Sequence, residues 1–142
     1  MKYENITKKY LGFTINPCGY KLVALAYVPP EITTGGVILT EASRDLMRRD
    51  LCTGLIIALG EDCYSDSESF PTGPYCAIGD WVHVSKFEKQ DKMFRDEKGI
   101  ERFCYYLNDN RIDGVIPRQD VTKSLGLRLT IDELEESLKY QG

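Results

Sequence analysis

The chain has 142 residues, of which 42% are hydrophobic and 28% are charged, and its formal net charge is −4. This composition is typical of one globular domain and excludes a disordered chain. The negative net charge and the lack of a run of basic residues argue against nucleic-acid binding. No apolar run approaches the ~18 residues of a membrane span, so the sequence predicts no membrane association.

The N-terminal residues lack the apolar core of a signal peptide, and the sequence therefore predicts a cytoplasmic protein. Its five cysteines show no C-x-x-C spacing, and His83 is the only histidine. Because a tetrahedral zinc site needs clustered ligands, we expect no metal and no cofactor, and we interpret the cysteines as reduced thiols that mostly fill the core. Without a P-loop or a paired acid and base, the sequence predicts a protein that is not an enzyme.

Segments rich in β-forming residues alternate with Gly, Pro and Asp along most of the chain. The first two segments are almost continuously apolar, which predicts strands that are buried on both faces. Short strands that are separated by Gly, Pro and Asp indicate a small β-barrel rather than an α/β layer fold. The predicted strands are residues 20–28, 52–60, 81–84, 100–107 and 112–116.

Polar segments separate these strands, and one helix follows them. Residues 61–74 are rich in acidic residues and serine and predict a solvated loop or hairpin tip, while residues 86–97 form a charged connection. Residues 1–15 predict no clear element. Near the C-terminus, Thr130 and Glu133 form a capping-box pattern, and Ile131, Leu134 and Leu138 then share one face of a short helix.

A polar stretch between the first two strands carries three consecutive aliphatic residues. These follow a pair of glycines and are flanked by Thr and Glu. The stretch is compatible with a hairpin whose second strand starts at Val37, and equally with a polar loop that carries a hydrophobic hook. The residues of this candidate hook are Gly35, Gly36, Val37, Ile38 and Leu39.

Five motifs, in the same order and at similar spacing, resemble those of co-chaperonins of the GroES type. They begin at Pro17 of the first strand, Gly35 of the hook, Thr53 of the second strand, Ile78 of a Gly-Asp turn and Tyr105 of the closing strands. The chain departs from the family at Tyr20-Lys21, where Asp-Arg is usual, and in its longer loops and added ends. This divergence is similar to that of co-chaperonins encoded by bacteriophages.

The resemblance implies a mainly β fold, a small GroES-like barrel over residues 17–116 with a mobile loop at 29–50 and a roof hairpin at 61–74. Residues 1–16 would be an N-terminal extension and residues 117–142 a C-terminal extension with a short helix. It also implies a homo-oligomeric ring, a heptamer, in which the last strand of one subunit pairs with the first strand of the next. The expected subunit-interface residues are Leu22, Val23, Leu25, Ile112, Val115 and Ile116.

The function implied by the resemblance is that of a lid. The hook would bind a GroEL-type chaperonin in its nucleotide-bound state, and the lid would assist ATP-dependent folding of an encapsulated client, a capsid protein in the case of a phage. The alternative is a virion structural or capsid-decorating protein built on the same barrel. Nucleotide-dependent binding to a chaperonin would separate the two.

Overall fold

The computed structural model of the chain describes residues 5–27, 52–126 and 129–140. This part is mainly β, as the sequence predicts. The strands are β1 (Lys21–Ala26), β2 (Thr53–Leu59), β3 (Trp81–Val84), β4 (Gln90–Arg95), β5 (Glu101–Asn108) and β6 (Ile112–Ile116). The helices are α1 (Thr7–Leu11), α2 (Val121–Ser124) and α3 (Ile131–Tyr140), and 3-10 turns occupy Asp109–Arg111 and Arg118–Asp120.

The six strands form one antiparallel sheet in the order β4-β5-β1-β2-β3-β6. β4 and β6 are its edges, and no ladder joins them within the described residues, so the prediction of a closed barrel is wrong for this part of the chain. β4 carries charged side chains, and the register of β6 with β3 is irregular between His83 and Val84. Charged side chains such as those of β4 are one means by which proteins keep edge strands from pairing.

The sheet is strongly rolled although it is open. β5 and β6 stand four places apart in the sheet, yet only the three residues Asp109–Arg111 connect them. A flat sheet would separate these strands by about 19 Å, whereas three residues of 3-10 helix advance about 6 Å. The β3–β4 connection crosses the same gap, where Arg111 Nε lies 3.5 Å from Glu88 Oε2. This ion pair therefore connects the Asp109–Arg111 turn to the β3–β4 connection at the open side of the rolled sheet.

Both faces of the central strands β1 and β2 are buried, which explains their unbroken apolar runs. In β1, Val23 and Leu25 face a cluster covered by the helices, while Leu22 and Ala24 face a second cluster. The prediction of strands buried on both faces is therefore confirmed, and Trp81 lies in the first cluster with 1% of its surface exposed. The helical residues of that cluster are Tyr10, Leu11, Val121, Leu134 and Leu138.

The predicted C-terminal helix is confirmed. α3 begins at the expected cap, where the Glu133 amide donates a hydrogen bond to Thr130 Oγ1 at 3.2 Å. Its apolar face packs on α1 and α2, so the described part of the C-terminal extension shares the core of the sheet. No described helix is long and apolar enough to cross a bilayer.

The helices α1 and α2 and the strand β4 are missing from the sequence prediction. α1 lies in the stretch for which no element was expected, and its Thr7 amide donates to Asn5 Oδ1 at 2.8 Å. β4 lies inside the predicted charged connection and pairs with β5 along its whole length. Its side chains are mostly exposed, so it lacks the alternation of apolar and polar residues that marks a half-buried strand.

Of the two forms predicted for residues 61–74, the loop is confirmed and the hairpin is wrong. Residues 61–74 contain turns and no strand. The acidic side chains are exposed as expected, but Cys63, Tyr64 and Phe70 turn inward and pack in the second cluster. The segment is thus a loop fastened to the sheet by apolar contacts rather than a projecting hairpin.

Candidate functional site

The candidate hook itself, Gly35, Gly36, Val37, Ile38 and Leu39, lies outside the described residues. The residues on either side of this segment are described. β1 and β2 are neighbours in the sheet, with Ala26 opposite Gly54, and the Tyr27 amide donates to the Thr53 carbonyl at 2.9 Å. Tyr27 and Cys52, the described residues on either side of 28–51, therefore lie at the same end of two adjacent strands.

The base of this segment is tightly packed. Tyr27 and Cys52 are 4% and 5% exposed, and Cys52 has a φ of 49°, a conformation that a non-glycine residue keeps only when its surroundings hold it. A Cβ on Gly54 would lie 3.0 Å from the Leu25 carbonyl oxygen, so the close approach of β1 and β2 favours glycine there. Tyr27 and Cys52, which flank residues 28–51, are thus held in place by the residues packed around them.

Three of the predicted interface residues lie on a strand in the middle of the sheet. Leu22, Val23 and Leu25 lie on β1, at most 2% exposed, and β1 pairs with β2 on one side and with β5 on the other. A strand with two neighbours has no free edge. The expected pairing of the last strand with β1 of a second copy is therefore incompatible with this fold.

The other half of the predicted interface lies on an open edge. Ile112, Val115 and Ile116 belong to β6, which pairs with β3 alone among the described strands. Ile116 is buried, whereas Val115 is 41% exposed. Of the six predicted interface residues, Val115 is thus the one large side chain that is well exposed on this chain, and its role in an interface stays a prediction.

A buried polar contact holds the loop at residues 61–74. Asp109 Oδ2 accepts a hydrogen bond from the Tyr64 amide at 2.8 Å, and Tyr64 has a φ of 59°. The Tyr64 hydroxyl lies 3.4 Å from Cys76 Sγ, and burial together with this contact raises the Tyr64 pKa above its usual range. The Tyr64 ring packs edge-on against Phe70 at 4.9 Å between centroids, so the loop is fixed by aromatic as well as polar contacts.

Burial also makes three of the thiols inert. It raises the pKa of Cys63 and of Cys76 to about 11, and that of Cys104 to about 12. These thiols stay protonated at neutral pH, and the thiolate is the nucleophilic form. They are core residues, as the sequence predicts for most of the cysteines.

A buried arginine that the sequence did not indicate joins β5 to the β4–β5 turn through an ion pair and to the C-terminal helix through a hydrogen bond. Arg102 Nε lies 3.3 Å from Asp96 Oδ2, and the two side chains are 3% and 8% exposed. Asp96 Oδ1 also accepts the amides of Lys98 and Ile100, each at 2.9 Å. Burial opposes ionisation of Asp96, but these amides and the guanidinium outweigh it and lower its pKa. Arg102 Nη1 also donates to the Leu138 carbonyl near the end of α3.

The remaining polar groups offer no assembled reaction centre in the described ranges. His83 is exposed on β3, with its Nδ1 3.2 Å from Thr53 Oγ1. The described residues contain no cluster of three or more His, Cys, Asp or Glu side chains that could hold a metal ion. What the geometry offers instead is a pair of buried residues, Tyr27 and Cys52, on either side of residues 28–51.

Comparisons with protein-family models and with curated proteins find no match to this chain.

Proposed function

We propose that the protein is a co-chaperonin that caps a GroEL-type chaperonin through the hook at residues 35–39. One observation carries this proposal: residues 28–51 connect two adjacent, fully buried strands and are held at their base by the hydrogen bond from Tyr27 to Thr53. A hydrophobic segment inserted at such a point can be presented to a partner without disturbing the core. The order of the motifs along the sequence supports the same assignment.

The hook is suited to weak, repeated binding. Burial of three aliphatic side chains in a groove contributes roughly 5–8 kcal/mol, and ordering the loop offsets much of it. One loop alone therefore binds weakly. Several loops on one ring bind far more tightly because each contact raises the effective concentration of the next. A small nucleotide-driven change in the groove then suffices to release the lid.

The partner would supply the chemistry. ATP binding and hydrolysis would belong to the chaperonin, and the lid would enclose the client while it folds. The ring would form from copies of this chain, a heptamer by family resemblance. Its contacts would involve an open edge such as β6 rather than β1, which lies inside the sheet.

The test is a mixture of the purified chain with a GroEL-type chaperonin, run on a sizing column with and without a non-hydrolysable ATP analogue. We expect the chain to migrate with the chaperonin only when nucleotide is present. Failure to migrate with it under every nucleotide condition would overturn the proposal. Binding to assembled capsids instead would support the capsid-decorating alternative.

A further inference from the structure

We propose that Tyr75 and the acidic loop at residues 61–74 form a docking surface for an arginine-rich segment of a partner protein. This inference goes beyond the proposed function, because it needs neither the hook nor a chaperonin. An exposed aromatic ring among carboxylates attracts cations through the ring and through the charges. Residues 60–80 carry no Lys or Arg and five acidic residues, Glu61, Asp62, Asp66, Glu68 and Asp80.

Tyr75 stands on a floor of two buried rings. It is 45% exposed, whereas Tyr64 and Phe70 are 7% and 8% exposed. The centroid of the Tyr75 ring lies 5.0 Å from that of Phe70 and 5.6 Å from that of Tyr64, and the two floor rings are 4.9 Å apart. A ring supported on two sides has little conformational freedom left to lose, which makes it an effective anchor for a partner.

The acidic side chains near Tyr75 belong to a loop of fixed shape. The Asp62 amide donates a hydrogen bond to the Gly19 carbonyl at 3.1 Å, which ties the start of the loop to the turn before β1. Asp66 Oδ1 accepts the Glu68 amide at 3.0 Å, so the Asp66 carboxylate closes a turn inside the loop. The loop therefore positions its charges before a partner arrives.

Three of the loop carboxylates define the chemistry of the partner. Glu61, Asp62 and Glu68 are exposed, and none of them forms an ion pair with another described residue. Asp62 and Glu68 are each two residues from a floor ring, Tyr64 and Phe70 respectively, which is at most about 7 Å along the chain. A guanidinium group stacks on aromatic faces and also pairs with carboxylates, so arginine uses the ring and the charges together.

A second exposed ring borders this surface. Tyr20 is 55% exposed, and its carbonyl accepts the Asp109 amide at 3.0 Å. Asp109 Oδ2 accepts the Tyr64 amide at 2.8 Å, so the main chain of Tyr20 lies beside the base of the loop. Two exposed rings with carboxylates around them match a segment with several arginines better than they match a single cation.

The experiment measures the fluorescence anisotropy of a labelled peptide of alternating Arg and Gly as the full chain is added. We expect binding at low salt that weakens as salt is added. Tyr75→Ala should weaken it about threefold to fivefold, whereas Tyr75→Phe should retain it. Glu61→Gln combined with Glu68→Gln should weaken it as well. The matched control is Glu133→Gln combined with Glu136→Gln, which removes the same charge from α3, on the opposite face of the sheet, and should bind as the wild type does.

Several results would overturn the docking surface. One is that the wild type does not bind the arginine peptide. Equal losses in the two Gln pairs would also contradict it, because they would indicate attraction to net charge alone. Wild-type affinity in Tyr75→Ala would show that the ring takes no part. Binding of the neutral sugar cellohexaose in place of the peptide would assign the rings to carbohydrate. Melting temperatures check the fold of each variant, and the Glu61 and Glu68 pair decides the matter if Tyr75→Ala loosens the loop.

Discussion

At the scale of single residues, the molecule combines inert buried groups with a few exposed ones. Four of its five cysteines are buried and Cys18 is exposed. Those whose pKa is raised owe the change to burial in an apolar core. The polar contacts that fasten loops and the C-terminal helix are also inside the fold, and they join residues far apart in the chain.

The thiols give the first prediction. In native protein at neutral pH, Cys18 should react at once with a thiol reagent such as Ellman's reagent, and the other four should react only as the protein unfolds. The measurement is the number of protein thiols that react quickly with the reagent, before and after addition of guanidinium chloride. Two or more fast thiols in the wild type, or one fast thiol in Cys18→Ser, would contradict the burial described here.

The Arg102–Asp96 pair predicts a dependence of stability on pH. The folded-state pKa of Asp96 is lowered, so its ionised form stabilises the fold above the ordinary Asp pKa of about 3.9. This contribution should be lost as the pH falls through the lower, folded-state pKa. Asp96→Asn should lose stability at pH 7 and show a flatter decline in acid than the wild type.

Its control is Glu97→Gln, which removes an exposed carboxylate from the same turn. The melting temperatures of the wild type and the two variants are compared between about pH 2 and about pH 7, an interval that includes the ordinary Asp pKa of about 3.9. An Asp96→Asn curve parallel to that of the wild type would show that the pair does not contribute.

At the scale of elements, the two edge strands differ from the central ones. β1 and β2 are buried on both sides, whereas β4 and β6 each have one open side among the described strands. β4 is protected by its charges, and β6 has only one charged side chain, at Asp113. β6 is therefore the better candidate for contact between copies.

The same substitution on two strands tests this difference. Val115→Lys places an ammonium on the exposed edge and should shift the protein from a ring towards monomers with little change in melting temperature. Val23→Lys places it at a site with no exposed surface, where an unpaired charge is prohibitive, and should unfold the protein. Native mass spectrometry and circular dichroism measure the two effects. A wild-type monomer at micromolar concentration, or an intact Val115→Lys ring, would contradict the role of β6.

The elements also show what the sequence can and cannot predict. β1 and β2 were predictable because burial on both faces leaves an apolar run, and α3 because its cap and apolar face are local patterns. β4 was not, because an exposed, charged edge strand resembles a loop until its partner is known. The Arg102 contact with Leu138 spans 36 residues and leaves no local pattern. The open edges depend on which strands pair, which no single segment specifies.

At the scale of the whole molecule, Tyr27 and Cys52, which flank residues 28–51, lie at one end of the adjacent central strands β1 and β2. Helices cover one face of the sheet, and the loop at residues 61–74 packs on the other. This arrangement separates the parts proposed to bind a partner from the parts that hold the fold together.

The measurement that tests the central proposal most directly is nucleotide-dependent binding to a GroEL-type chaperonin by Ile38→Asp, with Ile38→Leu as the matched control. A carboxylate in an apolar groove is either buried without a partner or left in water with the hook undocked. A loss of about 2 kcal/mol at each loop compounds across a ring. We predict that Ile38→Asp keeps the wild-type assembly and melting temperature but forms no complex, while Ile38→Leu binds. If Ile38→Asp unfolds the protein or binds normally, residues 37–39 are not a chaperonin hook.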